Sequence, residues 1–342
     1  MGYDNLKLEK GMYRQEGMNF TQVLESLDPS ENYRGTALEG TDAFQRQLKR
    51  FGIRAKGAGS SPVEKFFRTM DSAVLFPEYI ARTVRQGMEE QDILPAITAT
   101  VTRIDAMDYR SIYSIPTDAD KELKDVMEGA SIPETEVKTK EHLVQLTKRG
   151  RMLVASYEAI RFQKLDLFGV MLRQIGAHIQ KQQLADAVNV LIAGDGNENA
   201  AAKYTVGTAP ISGTKGKLAY DQLVEFWGQF DPYTMNTILC STATMTDMLK
   251  ISELQNPLTG LNFQGTGQMV TPIGAALIHV PTMADKVIVA MDKTCALEMV
   301  QAGELMTDYD KLIDRQLERA SISAVTGFAK IFSDASKKLT IS

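Results

Sequence analysis

Nine residues in the middle of the chain read Ile192-Ala193-Gly194-Asp195-Gly196-Asn197-Glu198-Asn199-Ala200, an aspartate between two glycines followed by further oxygen-bearing side chains. Such a stretch could hold a calcium ion or a phosphate. An EF-hand loop needs oxygen ligands at positions 1, 3 and 5, glycine at 6 and glutamate at 12. Counted from Asp195, Asn197 and Asn199 comply, but Ala200 and Val206 occupy the two most demanding positions. A dinucleotide fingerprint runs strand, glycines, helix, whereas here a helical pattern precedes the glycines. The remaining reading is a hinge, in which Gly194 and Gly196 let the chain reverse at a helix end and the polar side chains solvate the turn.

Other candidates fail on similar grounds. Ser212-Gly213-Thr214-Lys215-Gly216-Lys217 resembles a phosphate loop, but Leu218 stands where magnesium needs a hydroxyl and Ile211 where the first glycine belongs. Gly265-Thr266-Gly267-Gln268-Met269-Val270 lacks a third glycine. The three histidines, His142, His178 and His279, are far apart in sequence. Cys240 precedes Ser241 at a strand end, where nucleophiles can sit, without an identifiable base. One charge cluster stands out: Arg46, Lys49, Arg50, Arg54 and Lys56 fall within residues 46–57, which contain no acid. It reads as a contact for nucleic acid phosphates or as a solvated helix face. No catalytic, cofactor or metal site is assigned.

The bulk numbers are those of an ordinary soluble globular protein. The chain has 342 residues, 44% of them hydrophobic and 24% charged, with net charge −5 and mean hydropathy −0.18. That is enough apolar material for one large core or two domains. The net acidity argues against a surface that binds nucleic acid everywhere. Cys240 and Cys295 are too few for a secreted disulfide framework, which points to a reducing compartment. No secretory signal and no membrane span is expected.

The elements that must position these residues follow from pattern. Residues 41–54 predict a helix with Thr41 or Asp42 as N-cap. Ser61-Pro62 predicts the start of another, interrupted at Pro77. Residues 96–115 alternate apolar and polar with β-branched enrichment, and 135–156 do so again, so the pair reads as one extended hairpin. Leu165 to Ala193 has no proline and repeats apolar residues at helical spacing, giving a helix roughly 40 Å long. Then come helix 219–230, strand 236–241, a capped helix 241–251, strands 275–280 and 286–291, and a long strand within 314–332.

This order of parts resembles the major capsid protein of tailed bacteriophages, with the Hong Kong 97-type fold. The resemblance covers about residues 70–335 and rests on three stretches. Residues 128–160 (EGASIPETEVKTKEHLVQLTKRGRMLVASYEAI) look like the family's extended E-loop and its return strand. Residues 184–202 (LADAVNVLIAGDGNENAAA) look like the end of its spine helix, and 276–300 (ALIHVPTMADKVIVAMDKTCALEMV) like its A-domain. The implied fold is α+β, with an N-terminal arm (1–70), the start of the P-domain (71–96), the E-loop hairpin (97–150), the spine helix (151–200), an α/β A-domain (201–304) and a P-domain return strand (305–342).

The implied function is structural: a head protein that self-assembles into an icosahedral shell around double-stranded DNA. The expected partners are copies of itself in pentamers and hexamers, packaged DNA held non-specifically, and scaffolding, portal and decoration proteins, with no membrane. It would sit in the virion, and in host cytoplasm during assembly. The E-loop turn, Glu128, Gly129, Ser131, Ile132 and Pro133, would contact a neighbouring subunit. It holds no lysine for the covalent crosslink of some members, although Lys121 and Lys124 lie just before it. No large cleaved N-terminal domain is expected. The alternatives are an encapsulin-type cargo shell, which the long polar arm disfavours, and an α/β enzyme using 201–304.

Overall fold

A computed structural model describes residues 3–15, 18–90, 92–106, 108–113, 138–156, 162–256, 269–303, 305–312 and 317–341. The chain divides into two compact units. The first comprises 1–92, 149–180 and 304–324, and the second 93–148, 181–303 and 325–342.

In the first unit the N-terminal residues are folded into the core. Helix α1 (Phe20–Leu27) is closed by a capping box between Asn19 and Gln22, and α2 (Ala43–Arg50) by one between Asp42 and Gln45. Asp42, one of the two expected N-caps, therefore takes the role. Leu6, Leu8, Phe20, Leu24, Phe44, Leu48, Ile53 and Phe66 share one core with Leu75, Ile80, Leu172 and Ile175. The N-terminal arm, expected to be polar, thus contributes much of this core.

Helix α3 (Met70–Glu89) starts eight residues later than expected from Ser61-Pro62, because Thr69 supplies the cap by accepting from Ser72 N–H, and residues 63–67 form a separate 3-10 turn. Nor does Pro77 interrupt it. Proline opens the helical ladder locally, and the Tyr13 hydroxyl enters the gap. It donates to the Val74 carbonyl at 2.8 Å and accepts from the Glu78 N–H at 3.1 Å, the two groups of one open i/i+4 pair. A neighbouring helix crosses at glycines. A Cβ on Gly87 would lie 2.5 Å from Arg173 Cα, and one on Gly176 would strike the Val84 carbonyl oxygen and lie 2.9 Å from Met88 N.

That neighbour is α5 (Leu165–Ala193), with the bounds read from the sequence. Before it come α4 (Leu94–Ile97), β1 (Thr100–Ile104), β2 (Ile112–Tyr113), β3 (Lys138–Thr139) and β4 (Thr147–Ser156). The expected strand at 96–115 is therefore broken, and β1 does not pair with the return strand. It runs parallel to β9 (Leu297–Ala302). Buried Glu298 on β9 accepts from Thr102 Oγ1 at 2.5 Å, Tyr109 Oη at 2.8 Å and Ser111 Oγ, which ties these three residues to that strand. The hairpin survives as the antiparallel β2–β3 pair. Its expected turn, Glu128 to Pro133, lies outside the described residues.

The second unit holds the α/β part: β5 (Ala202–Thr205), α6 (Tyr220–Trp227), β6 (Thr237–Cys240), α7 (Thr242–Leu249), α8 (Ser252–Gln255), β7 (Ala276–His279) and β8 (Val287–Met291). The sheet order is β5-β12-β8-β6-β7, with β8 at its centre and β12 (Ser336–Thr340) between β5 and β8. Strands β6 and β8 are buried at every residue, as a sheet covered on both faces requires. The long strand β11 (Leu317–Lys330) changes partners along its length. Leu317–Ser323 pairs with β10 (Met306–Leu312) and Thr326–Lys330 with β9.

Candidate functional site

The Gly194–Asn199 turn is a built junction. Gly194 (φ +87°) and Gly196 (φ +92°) both take the left-handed backbone that glycine tolerates, so the hinge glycines sit where a chain reversal needs them. The expectation that the polar side chains merely solvate the turn does not hold for Asp195, whose side chain is 3% exposed. Its carboxylate pairs with the Lys140 ammonium, accepts from the Lys330 N–H at 2.9 Å and from Asn197 Nδ2 at 2.9 Å. Burial raises its pKa, but the hydrogen bonds and charge of Lys140, with Asn197 and the Lys330 amide, prevail and hold it below the usual range. Asn199 Oδ1 accepts from Asp195 N–H at 3.0 Å, and Asn197 Oδ1 from His142 N–H at 3.2 Å. The turn therefore fastens the end of α5 to the segment after β3 and to the end of β11. A cavity of about 380 Å³, lined by Lys140, His142, Asn197, Asn199, Lys330 and Ser333, adjoins it.

Sequence reading missed Lys140 and Lys330. Each is one lysine among many, and 55 and 135 residues separate them from Asp195. No local spacing encodes such a pairing.

The basic run divides. Arg46 is fully buried, and this corrects its place in a DNA-facing patch. Its guanidinium donates to Asp28 Oδ2 at 2.7 Å, Ser30 Oγ at 3.0 Å and the Thr41 and Asp28 carbonyls at 2.5 Å, and it lies 4.3 Å from the Tyr33 ring centroid. With four of its five N–H donors used inside the unit and no surface exposed, this charge cannot reach a phosphate. Arg50 is half-buried and donates to the Leu6 carbonyl at 2.6 Å. Lys49, Arg54 and Lys56 are exposed.

The catalytic candidates do not assemble. Cys240 is fully buried, and burial pushes its thiol up to about 12. Ser241 caps α7 through the Thr244 N–H and donates to Asp285 at 2.7 Å. His279 Nε2 lies 2.8 Å from Thr242 Oγ1, not from the cysteine, and His178 is exposed on α5. In the phosphate-loop lookalike the Ser212 N–H and Oγ both bind the Glu225 carboxylate at 2.6 Å, which occupies two donors at the start of the loop and sets a negative charge beside it. Among the described residues, no group of three or more His, Cys, Asp or Glu could hold a metal ion. None of the described helices is long and apolar enough to cross a membrane.

Comparison with solved structures gives the same architecture. A virus-like particle from Pyrococcus furiosus matches with TM-score 0.51 at 12% identity, covering 77% of this chain and 98% of the other. The capsid of a native GTA particle matches with TM-score 0.54 at 15% identity, covering 76% and 90%. The capsid of an empty GTA particle matches with TM-score 0.51 at 14% identity, covering 73% and 89%. At these identities the likeness establishes the fold, which is the α+β capsid fold of the Hong Kong 97 type. No curated protein matches the sequence. The family model described as phage capsid protein matches residues 139–327, a span running from β3 through α5 and the α/β sheet into β11. A match over more than half of the chain, through the elements that build both units, makes this chain a member of the phage capsid protein family.

Proposed function

We propose that this chain is the major head subunit of a tailed bacteriophage, a structural protein without catalysis that assembles into an icosahedral shell around double-stranded DNA. The family match across 139–327 carries the reading. In this reading the subunits form pentamers and hexamers, with 201–304 as the A-domain and the hairpin at 97–150 reaching a neighbour. Scaffolding, portal and decoration proteins are its further partners, the virion is its place, and assembly takes place in host cytoplasm. Electron microscopy of the purified protein tests this. Closed or tubular shells are expected, with double-stranded DNA in native particles; small soluble oligomers with turnover on any substrate would overturn it.

Lys49, Arg54 and Lys56, with Arg50 beside them, remain the proposed contact for packaged DNA, now without Arg46. Replacing Lys49, Arg54 and Lys56 by glutamine should leave particles intact and lower DNA retention. Unchanged retention across a salt series would remove the assignment, since phosphate contacts weaken steeply with salt. A cargo-enclosing shell is the second reading, because the fold shared with the Pyrococcus furiosus virus-like particle does not itself specify what a shell holds. Co-purification of a protein cargo, with no nucleic acid inside, would select it.

A further inference from the structure

The junction at Asp195 has an uneven charge count. Two lysines enter it and a single carboxylate, Asp195, is hydrogen-bonded to them, while Asp334 acts only through space. Lys140 takes that carboxylate and also donates to the Lys330 carbonyl. The Lys330 ammonium is left with no hydrogen-bond partner, on a residue that is fully buried. An orphaned buried cation is rare and costly. The charged groups that face it are Asp195 at the helix end, Lys140 on the segment after β3 and Asp334 in the turn after β11.

We propose that Lys330 makes the Lys140–Asp195 contact a proton-operated latch: with Lys330 neutral the 138–146 segment closes on the end of α5, and protonation of Lys330 drives it open. The geometry supplies the mechanism. Closing the latch strips water from Lys330 and sets it beside the Lys140 charge, while Asp195 is already committed to Lys140. Neutral Lys330 removes both costs. Opening returns the ammonium to water. Burial is the main cause that pushes Lys330 down to about 8, the Lys140 charge adds to it, and Asp195 and Asp334 oppose it. A group that binds its proton less tightly in the closed state favours that state as pH rises. Closure therefore strengthens from pH 7 upward and levels off near the ordinary lysine range. With 10.5 for the open state and the value of about 8 for the closed one, the closed-to-open ratio should rise about tenfold between pH 7 and pH 9.

What opens is defined by the contacts that would be lost. Lys140 N–H donates to the Ser111 carbonyl at 3.0 Å and Val144 N–H to the Tyr109 carbonyl at 2.9 Å, continuing the β2–β3 pairing toward the core. The latch thus sets how firmly the base of the hairpin is held. It does not depend on the proposed function, because it belongs to the single subunit.

The test is pulsed hydrogen–deuterium exchange on the purified subunit, read as protection of 138–146 after correction for the intrinsic pH dependence of amide exchange. In the wild type, protection should rise about tenfold from pH 7 to pH 9. Lys330→Met, neutral at every pH, should give a flat profile at the high level. Lys330→Arg, charged at every pH, should give a flat profile at the low level. A flat wild-type profile overturns the proposal. So does an unchanged pH dependence in Lys330→Met, which would assign the titration to another group. If the arginine variant fails to fold, the methionine variant and the wild type still decide.

Discussion

Replacing Gly176 by alanine gives the sharpest test of how the first unit is packed. In an isolated helix this change is favourable by about 1 kcal/mol. Here the new Cβ would strike the Val84 carbonyl oxygen and lie 2.9 Å from Met88 N and 3.1 Å from Gly87 C. All three are backbone atoms of α3, so no side chain can rotate away. The two helices must separate, and the contacts of Leu172, Ile175 and Ile179 with Leu75, Ile80 and Val84 in their shared core loosen together. Overpacking of a tight core costs about 1–3 kcal/mol, and a backbone clash belongs at the upper end. Net of the helix gain, Gly176→Ala should destabilise by about 2 kcal/mol. Gly228→Ala is the internal control: Gly228 caps α6 with ordinary φ −60° and has nothing within 4 Å of its Cβ position, so it should be neutral or stabilise by about 0.5 kcal/mol. Urea unfolding of the soluble subunit, followed by circular dichroism at 222 nm, measures both. The double variant Gly87→Ala/Gly176→Ala should cost less than the sum of its singles, because one separation of the helices relieves both clashes. Gly176→Ala as stable as wild type, or strict additivity in the double variant, would refute the close crossing.

Two further predictions use the same assay. Tyr13→Phe removes only a hydroxyl but leaves the Val74 carbonyl and the Glu78 N–H unsatisfied beside Pro77, and should cost about 1–3 kcal/mol; a neutral result would mean water replaces the hydroxyl. Arg46→Ala should cost about 3–5 kcal/mol because it leaves Asp28 buried without its cation, while Lys49→Ala on the same helix should stay within about 0.5 kcal/mol. Equal effects would undo the division of the basic run into a structural and a surface part.

The pattern of success in reading the sequence has a physical basis. Helix α5 was legible to its ends because proline-free apolar periodicity and a terminal glycine are local signals. Strands β6 and β8 and the Ser241 cap were legible for the same reason. What failed depended on distant partners. Pro77 ends a helix by local rules, and only Tyr13, 64 positions earlier in the chain, explains why it does not. Residues 100–104 have the alternation of a hairpin strand, yet Glu298 recruits them to β9. Arg46 looks like its neighbours Lys49 and Arg50 until Asp28 claims it. Asp195 shows the same limit within the candidate site: the glycines around it announce a turn, but nothing near it announces two lysines.

The partner exchange along β11 limits how the sequence can change over evolutionary time. One continuous strand is in register with β10 over Leu317–Ser323 and with β9 over Thr326–Lys330. Side chains alternate faces with a period of two, so inserting or deleting one residue at either end would turn every later residue to the wrong face. A repair in one pairing would put the other out of step. Natural variants should therefore vary in length almost anywhere else before they vary in length between 317 and 330. Peptide tags and reporter insertions belong outside that span as well.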